Sequence, residues 1–187
     1  EATLVGHSVG AWMAQYLATE QPERFTKLIL TDPLGLDMSG VSGTDLGALD
    51  DEAFATGVFG QLGLIGTADP TGFGAVWENV RQGPEFARQS KGRDMVTKLA
   101  GGSYADAALT RAVEALPTET LLVWGAVDGL APLGQGQALQ KAMHNAKLNV
   151  IDGCGHLPMV EKPETFNRVL HSYLIGLDEP ISGVQTS

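Results

Sequence analysis

Cysteine occurs once in the 187 residues, as Cys154, so the chain can form no internal disulfide and no multi-cysteine zinc or iron–sulfur site. That usage fits a reducing compartment, and a cytoplasmic location is expected. Basic residues are also scarce: 12 Lys and Arg stand against 22 Asp and Glu, giving a net charge of −10 and a pI near 4.7. Such a balance argues against nucleic acid as a partner, which needs a basic face, and against anionic membrane surfaces. No apolar run approaches the roughly 18 residues of a membrane span, and no charged-then-apolar signal segment opens the sequence. What is present, 43% hydrophobic and 18% charged residues with a mean hydropathy of +0.01, is the composition of a globular chain and excludes a disordered, coiled-coil or fibrous one. At this length one domain with an insert can bury a sizeable core without covalent staples.

Hydrophobic periodicity divides the chain. Ala2 to Val5 is a short apolar, β-branched run closed by Gly6, as in a buried parallel strand, and from Val9 the spacing of Trp12, Met13, Tyr16 and Leu17 changes to that of a helix ending before Pro22. Lys27 to Thr31 is a second strand stopped by Asp32-Pro33, where proline can neither donate to a ladder nor let the preceding residue turn helical. Residues 1–33 therefore read as a βαβ unit. From Leu34 to Glu119 the strand signal vanishes and helical stretches fall near Asp51–Phe59, Ala75–Arg88, Met95–Leu99 and Tyr104–Leu116, so residues 34–119 are expected to be a mostly helical cap insert. Strands return at Leu121–Trp124 and Leu148–Ile151, with a short helix through Ala138, Leu139, Ala142 and Met143 between them. A last helix begins at Pro163 and places Phe166, Val169, Leu170, Tyr173, Leu174 and Leu177 on one face, which completes a core segment over 120–177. Residues 178–187 are expected to be a polar, flexible tail. Alternating strands and helices predict an α/β fold with a parallel sheet covered on both faces, whose ligand site lies beyond the carboxyl ends of the strands.

Three candidate groups lie at those ends. Gly6-His7-Ser8-Val9-Gly10 is a G-x-S-x-G sequence between strand and helix; the glycines give the space a very sharp turn needs, and the turn presents the Ser8 hydroxyl above the sheet. The same turn makes the Val9 backbone N–H, at the start of a helix, a candidate oxyanion donor. A helix N-cap is the alternative role for Ser8. A serine nucleophile needs a base oriented by a third group. Trp124-Gly125-Ala126-Val127-Asp128 places a carboxylate after the third strand, and Asp152-Gly153-Cys154-Gly155-His156 places an imidazole after the fourth. Asp32, also just beyond a strand, competes with Asp128 for the acid role. His7 reads as a packing or supporting residue, His144 and His171 as helix-surface histidines, and Cys154 as a small residue packed in a tight loop. Phe54, Phe59, Phe73, Trp77 and Phe86 could line an acyl pocket or form the insert's own core.

With those motifs in the order Ser, Asp, His, the chain resembles the α/β-hydrolase superfamily. The resemblance covers the whole chain but starts at the family's nucleophile strand, so the first strands of that fold, and the His-Gly loop that usually supplies a second oxyanion donor, are absent from the part matched. It implies an α/β-hydrolase fold with Ser8 as nucleophile, His156 as base, Asp128 as orienting acid and Val9 N–H as oxyanion donor. It implies a serine hydrolase that cleaves a small-molecule carboxylic ester through an acyl-enzyme, with no metal and no organic cofactor. Ser8 departs from the epoxide hydrolases and haloalkane dehalogenases of similar fold, which carry aspartate at the elbow. Hydrolysis of a carbon–carbon bond in a diketone is an alternative, as is a receptor-like binding protein with slow hydrolysis.

The first residue is Glu1, not Met, and a sheet starting at the nucleophile strand would expose an apolar edge. The expectation is therefore that an N-terminal half, on a second chain or a missing segment, completes the sheet. Between Leu28 and Val80 stand eight acids (Asp32, Asp37, Asp45, Asp50, Asp51, Glu52, Asp69, Glu78) and no Lys or Arg. An acidic cap at the mouth should disfavour anionic esters.

Overall fold

The computed structural model describes residues 2–38, 40–41, 43–50, 53–54, 56–58, 105–177 and 179–186, with a few positions between 82 and 98. Strands β1 (Ala2–His7), β2 (Phe25–Thr31), β3 (Glu119–Gly125) and β4 (Ala146–Ile151) lie side by side in sequence order and pair in parallel. The buried runs Leu28–Leu30 and Leu121–Trp124 explain why β2 and β3 are central: they are apolar on both faces, as a doubly covered parallel sheet requires. Helices α1 (Val9–Glu20), α2 (Ala107–Glu114), α3 (Leu133–Ala142), α4 (Pro158–Glu161) and α5 (Pro163–Ile175) make up the described helical layers.

Two clusters of buried side chains sandwich the sheet. The larger joins Ala11, Ala14 and Ala18 of α1 to Leu28, Leu30, Leu122, Trp124, Leu139 and Leu148. Alanine at three successive turns lets α1 lie close to the strands, which keeps the turn preceding it tight. On the other face Ile29, Leu121, Val123 and Ile151 meet Phe166, Val169 and Tyr173 of α5. That helix starts with Pro163 in its first turn and stops at Gly176, whose φ of 72° is the left-handed conformation in which glycine replaces a strained residue.

The end of the chain differs from the expected flexible tail. Val184–Thr186 form β5, antiparallel to β4, with Asn149 opposite Thr186 and Ile151 opposite Val184. Ile181 and Val184 pack on the second cluster, and Gln185 Nε2 donates to Asp152 Oδ1 at 2.7 Å. Two apolar anchors and one polar clasp order a segment too short to show a strand period. At the opposite edge β1 has no outer neighbour among the described residues. There Val5 is 55% exposed, and Leu4, Val5, Met13, Ala14 and Leu17 line an apolar groove between β1 and α1. Half of the cap expected over 34–119 lies outside the described residues; within it the structure shows α2 and the segments noted above.

Candidate active site

Ser8 sits between β1 and α1 with φ 53° and ψ −121°, a positive-φ conformation costly for a residue with a Cβ. The turn is held by its neighbours: Ser8 N–H donates to Thr31 O at 3.0 Å, and Trp12 N–H donates to Ser8 O at 3.0 Å. Gly6 is required for space, since a Cβ there would stand 2.6 Å from Ala11 Cα and 2.6 Å from Gly10 O. At Gly10 no described atom lies within 4 Å of its Cβ position, and the residue lines the groove beside β1. Ser8 makes no side-chain capping bond to α1, so the N-cap alternative does not describe it. Its Oγ instead lies 2.8 Å from His156 Nε2.

His156 and Asp128 come from the loops after β4 and β3. These loops press together at Gly125, where a Cβ would overlap the Gly155 carbonyl, and Val127 N–H donates to Cys154 O at 3.0 Å. The imidazole Nδ1 lies 2.7 Å from Asp128 Oδ2, and both side chains are almost completely buried. Asp128 Oδ1 accepts the N–H groups of Leu130 (2.7 Å) and Ala131 (3.0 Å), so the carboxylate is oriented from both sides. With Nδ1–H facing Asp128, Nε2 is left as the acceptor toward the Ser8 hydroxyl. Val9 opens α1, and its N–H is one of the first-turn amides an α-helix leaves without an intrahelical partner. Ser8, Asp128 and His156 are thus brought together, with Val9 adjacent.

Asp32, the competing acid, does not reach His156 as a hydrogen-bond partner. Its Oδ1 accepts Gly125 N–H at 2.9 Å, and burial, followed by the charge of Asp128, holds its carboxyl well above the ordinary range. His7 Nε2 lies 2.6 Å from the His156 carbonyl oxygen and therefore carries the proton and donates. Burial and then the charge of His156 pull its imidazole down to about 4, so His7 is neutral in ordinary buffers. His144 and His171 are exposed. Cys154 is fully buried, and burial pushes its thiol up, which leaves it without nucleophilic character. Phe54 packs against the main cluster, while Phe59, Phe73, Trp77 and Phe86 lie outside the described residues.

Two features carry no obvious sequence signal. Glu161 of α4 accepts the N–H of Gly155 (3.0 and 3.1 Å to its two oxygens) and of Leu157 (3.1 Å), bracketing His156. The segment between β2 and α2 supplies backbone carbonyls: His156 N–H donates to Val58 O at 2.6 Å and Gly129 N–H to Gly57 O at 3.0 Å. His7, Asp32 and His156 also bring polar atoms within 4.8 Å of one another, the one such grouping of potential metal donors among the described residues. Both ring nitrogens of His156 are engaged by Asp128 and Ser8, so the grouping is read as hydrogen-bonded.

Residues 1–169 match the model of the alpha/beta hydrolase family. The chain belongs to the alpha/beta hydrolase family. As a member it is 26% identical over 185 residues to a 2-hydroxy-6-oxo-6-phenylhexa-2,4-dienoate hydrolase of Comamonas testosteroni, covering 92% of this chain and 62% of that protein. It is 28% identical over 193 residues to a pimeloyl-[acyl-carrier protein] methyl ester esterase of Neisseria meningitidis serogroup A, covering 96% and 59%. Among solved structures, the 2-hydroxy-6-oxo-6-phenylhexa-2,4-dienoate hydrolase of Rhodococcus sp. strain RHA1 superposes with a TM-score of 0.67 at 24% identity, covering 94% of this chain and 64% of that one. The fold is thus that of the alpha/beta hydrolases, and the chain spans about six tenths of the length of these curated relatives. Among the described residues no helix is long and apolar enough to cross a membrane.

Proposed function

We propose that this alpha/beta hydrolase is a serine hydrolase that cleaves a carboxylic ester. The observation that carries the reading is the continuous hydrogen-bonded chain from Ser8 Oγ through His156 to Asp128, at 2.8 and 2.7 Å. His156 Nε2 takes the Ser8 proton as Oγ attacks the ester carbonyl, and the developing oxyanion is met by Val9 N–H. Collapse expels the alcohol, which leaves with the proton from His156 and gives an acyl-enzyme. A water then attacks, with its proton passing to the same nitrogen, and the acid is released as Ser8 recovers its proton. Asp128 keeps Nδ1 protonated and stabilises the imidazolium.

A short p-nitrophenyl ester tests this: Ser8→Ala should lose on the order of 10⁴-fold or more in turnover. Activity retained in that variant removes Ser8 from the mechanism. A second reading, hydrolysis of a carbon–carbon bond, is favoured by the dienoate hydrolases among the relatives. Comparing kcat/KM for a vinylogous diketone and an ester decides between the two. A receptor-like role predicts near single-turnover hydrolysis with a ligand-dependent rise in Tm.

Two further proposals concern what meets the site. The open β1 edge and its apolar groove support completion of the sheet by a further segment, on this polypeptide or another, and intact mass of the active protein tests it. Exposed Asp37, Asp45 and Asp50 support a preference for neutral over anionic esters, although Asp32 is buried and adds nothing to that face. Asp51, Glu52, Asp69 and Glu78 lie outside the described residues. Equal kcat/KM for matched neutral and carboxylate-bearing esters at low salt would refute the preference.

A further inference from the structure

Asp32 follows β2 with a carboxyl that the Ser8–His156–Asp128 chain leaves unused. The residue is completely buried, and its φ of 43° is a conformation that persists for a non-glycine residue only where the surroundings enforce it. Its N–H donates to Val123 O at 3.0 Å and its Oδ1 accepts Gly125 N–H at 2.9 Å. These bonds pin the exit of β2 to the end of β3, where the loop carrying Asp128 begins. Its Oδ2 has no hydrogen-bond partner.

Among the described residues, the groups that face Asp32 offer no counter-charge for an ionised form. Asp128 from the loop after β3 and Glu161 from α4 are acids, and both push its proton affinity up. His7 at the end of β1 is neutral above about pH 4, and His156 is engaged by Asp128 and Ser8. Gly125 N–H favours the ionised form, but burial and the Asp128 charge outweigh it. A buried acceptor left without a donor is costly, and protonation turns Oδ2 into a donor. The Asp128 carboxylate is the acceptor at hand: it lies three residues beyond Gly125, which Asp32 holds, and its charge acts on Asp32 second only to burial. Asp128 has room for it. A carboxylate offers about four lone-pair sites, and Leu130, Ala131 and His156 take three of them.

We propose that Asp32 is a positioning residue of the triad, a neutral acid whose Oδ2–H donates to the Asp128 carboxylate while Oδ1 holds Gly125. The hydrogen-bonded chain then runs Ser8–His156–Asp128–Asp32, with one negative charge shared by two carboxyls. This inference rests on the hydrolytic reading of Ser8, His156 and Asp128. When alkali removes the Asp32 proton, a second charge appears beside Asp128, the pair repels, and the acid loop shifts.

The decisive measurements are pH profiles of ester hydrolysis for Asp32→Leu and Asp32→Asn, with carbon-13 NMR of protein labelled at the aspartate carboxyl. Asp32→Leu, which can neither hold Gly125 nor donate to Asp128, should lose on the order of 10²-fold in kcat with little change in KM, as expected for a displaced catalytic group. Asp32→Asn keeps an acceptor and a donor and should recover most of that loss while abolishing the alkaline fall of the unsubstituted enzyme. The Asp32 resonance, assigned by its disappearance in Asp32→Asn, should be that of a protonated acid at neutral pH. An ionised Asp32 resonance at neutral pH overturns the proposal. So does an Asp32→Asn variant as impaired as Asp32→Leu with an unshifted alkaline limb. If Asp32→Leu fails to fold, the asparagine variant and the resonance decide alone. Loss of the hydrolytic reading would show instead as Ser8→Ala activity, which leaves the resonance and its assignment intact.

Discussion

The backbone N–H of His156 donates to the carbonyl of Val58 at 2.6 Å. Val58 belongs to the segment between β2 and α2, and its neighbour Gly57 accepts Gly129 N–H at 3.0 Å beside Asp128. One short stretch of that segment therefore clasps both the loop carrying Asp128 and the loop carrying His156. The imidazole's position depends on it as well as on the sheet.

Gly129→Ala should break that clasp. A Cβ at 129 would stand 2.7 Å from Gly57 Cα, a backbone atom that must move, whereas a Cβ at Gly57 meets the Cδ2 of Leu130, a side-chain end that can rotate away. A displacement of His156 by about 1 Å is enough to cost on the order of 10²-fold in rate. Gly129→Ala is expected to lower kcat to that extent with a smaller change in KM, and Gly57→Ala to be milder. Steady-state kinetics on one ester for both variants checks the order.

Asp128→Asn replaces an acceptor facing His156 Nδ1 by a group that can present N–H in its place. The ring then places its proton on Nε2, toward Ser8, and can no longer accept the hydroxyl proton. An effect of about 10⁴-fold on kcat is expected from this tautomer reversal. The bonds from Leu130 and Ala131 can still end on the remaining oxygen, so Tm should change little. A large loss of Tm would show that the carboxylate acts mainly as a fold element.

His7 makes stability depend on acid. Its pKa falls from about 6.5 in the unfolded chain to about 4 in the folded one, chiefly through burial. Between those values the unfolded chain binds the extra proton, so this group's contribution to stability is present above about pH 6.5 and is lost as pH falls toward 4. His7→Asn should narrow the difference in urea midpoint between neutral and acid buffer. An unchanged difference would place the acid sensitivity in other groups.

How far the sequence spoke depended on where each signal resides. Lys27–Thr31 and Leu121–Trp124 are legible as strands because parallel-sheet interiors are apolar on both faces, whereas their central place shows only in the structure, and Gly6-His7-Ser8-Val9-Gly10 marks the turn because the Gly6 contact with Ala11 tolerates no Cβ. The same reason does not carry over to Gly10, beside whose Cβ position no described atom lies within 4 Å. The β5 strand escaped notice because three residues carry no period and its anchors, Ile181 and Val184, stand among polar neighbours. Val58 and Gly57 were illegible in principle, since a carbonyl acceptor has no residue identity. Glu161 is hardly more legible: it closes the four-residue α4, five positions past His156, and its residue type alone does not say which amides it receives.

Glu161 yields the last expectation. Its carboxylate satisfies the N–H groups on either side of His156, those of Gly155 and Leu157. Glu161→Ala leaves both donors to find water in a partly buried loop, an effect of about 1–3 kcal/mol for each donor that fails to do so. Glu161→Gln keeps one acceptor oxygen, which in the place of Oε1 can still receive both amides, but it loses the charge and the 3.0 Å bond from Gly155 to Oε2. Stability should therefore fall in the order unsubstituted, Gln, Ala. Because the same bonds fix the loop that carries the imidazole, kcat should fall in that order too, while KM stays nearly constant. Urea unfolding and ester kinetics on the three proteins test both sequences at once. If stability follows the order but kcat does not, the Glu161 contacts hold the fold without setting the position of His156.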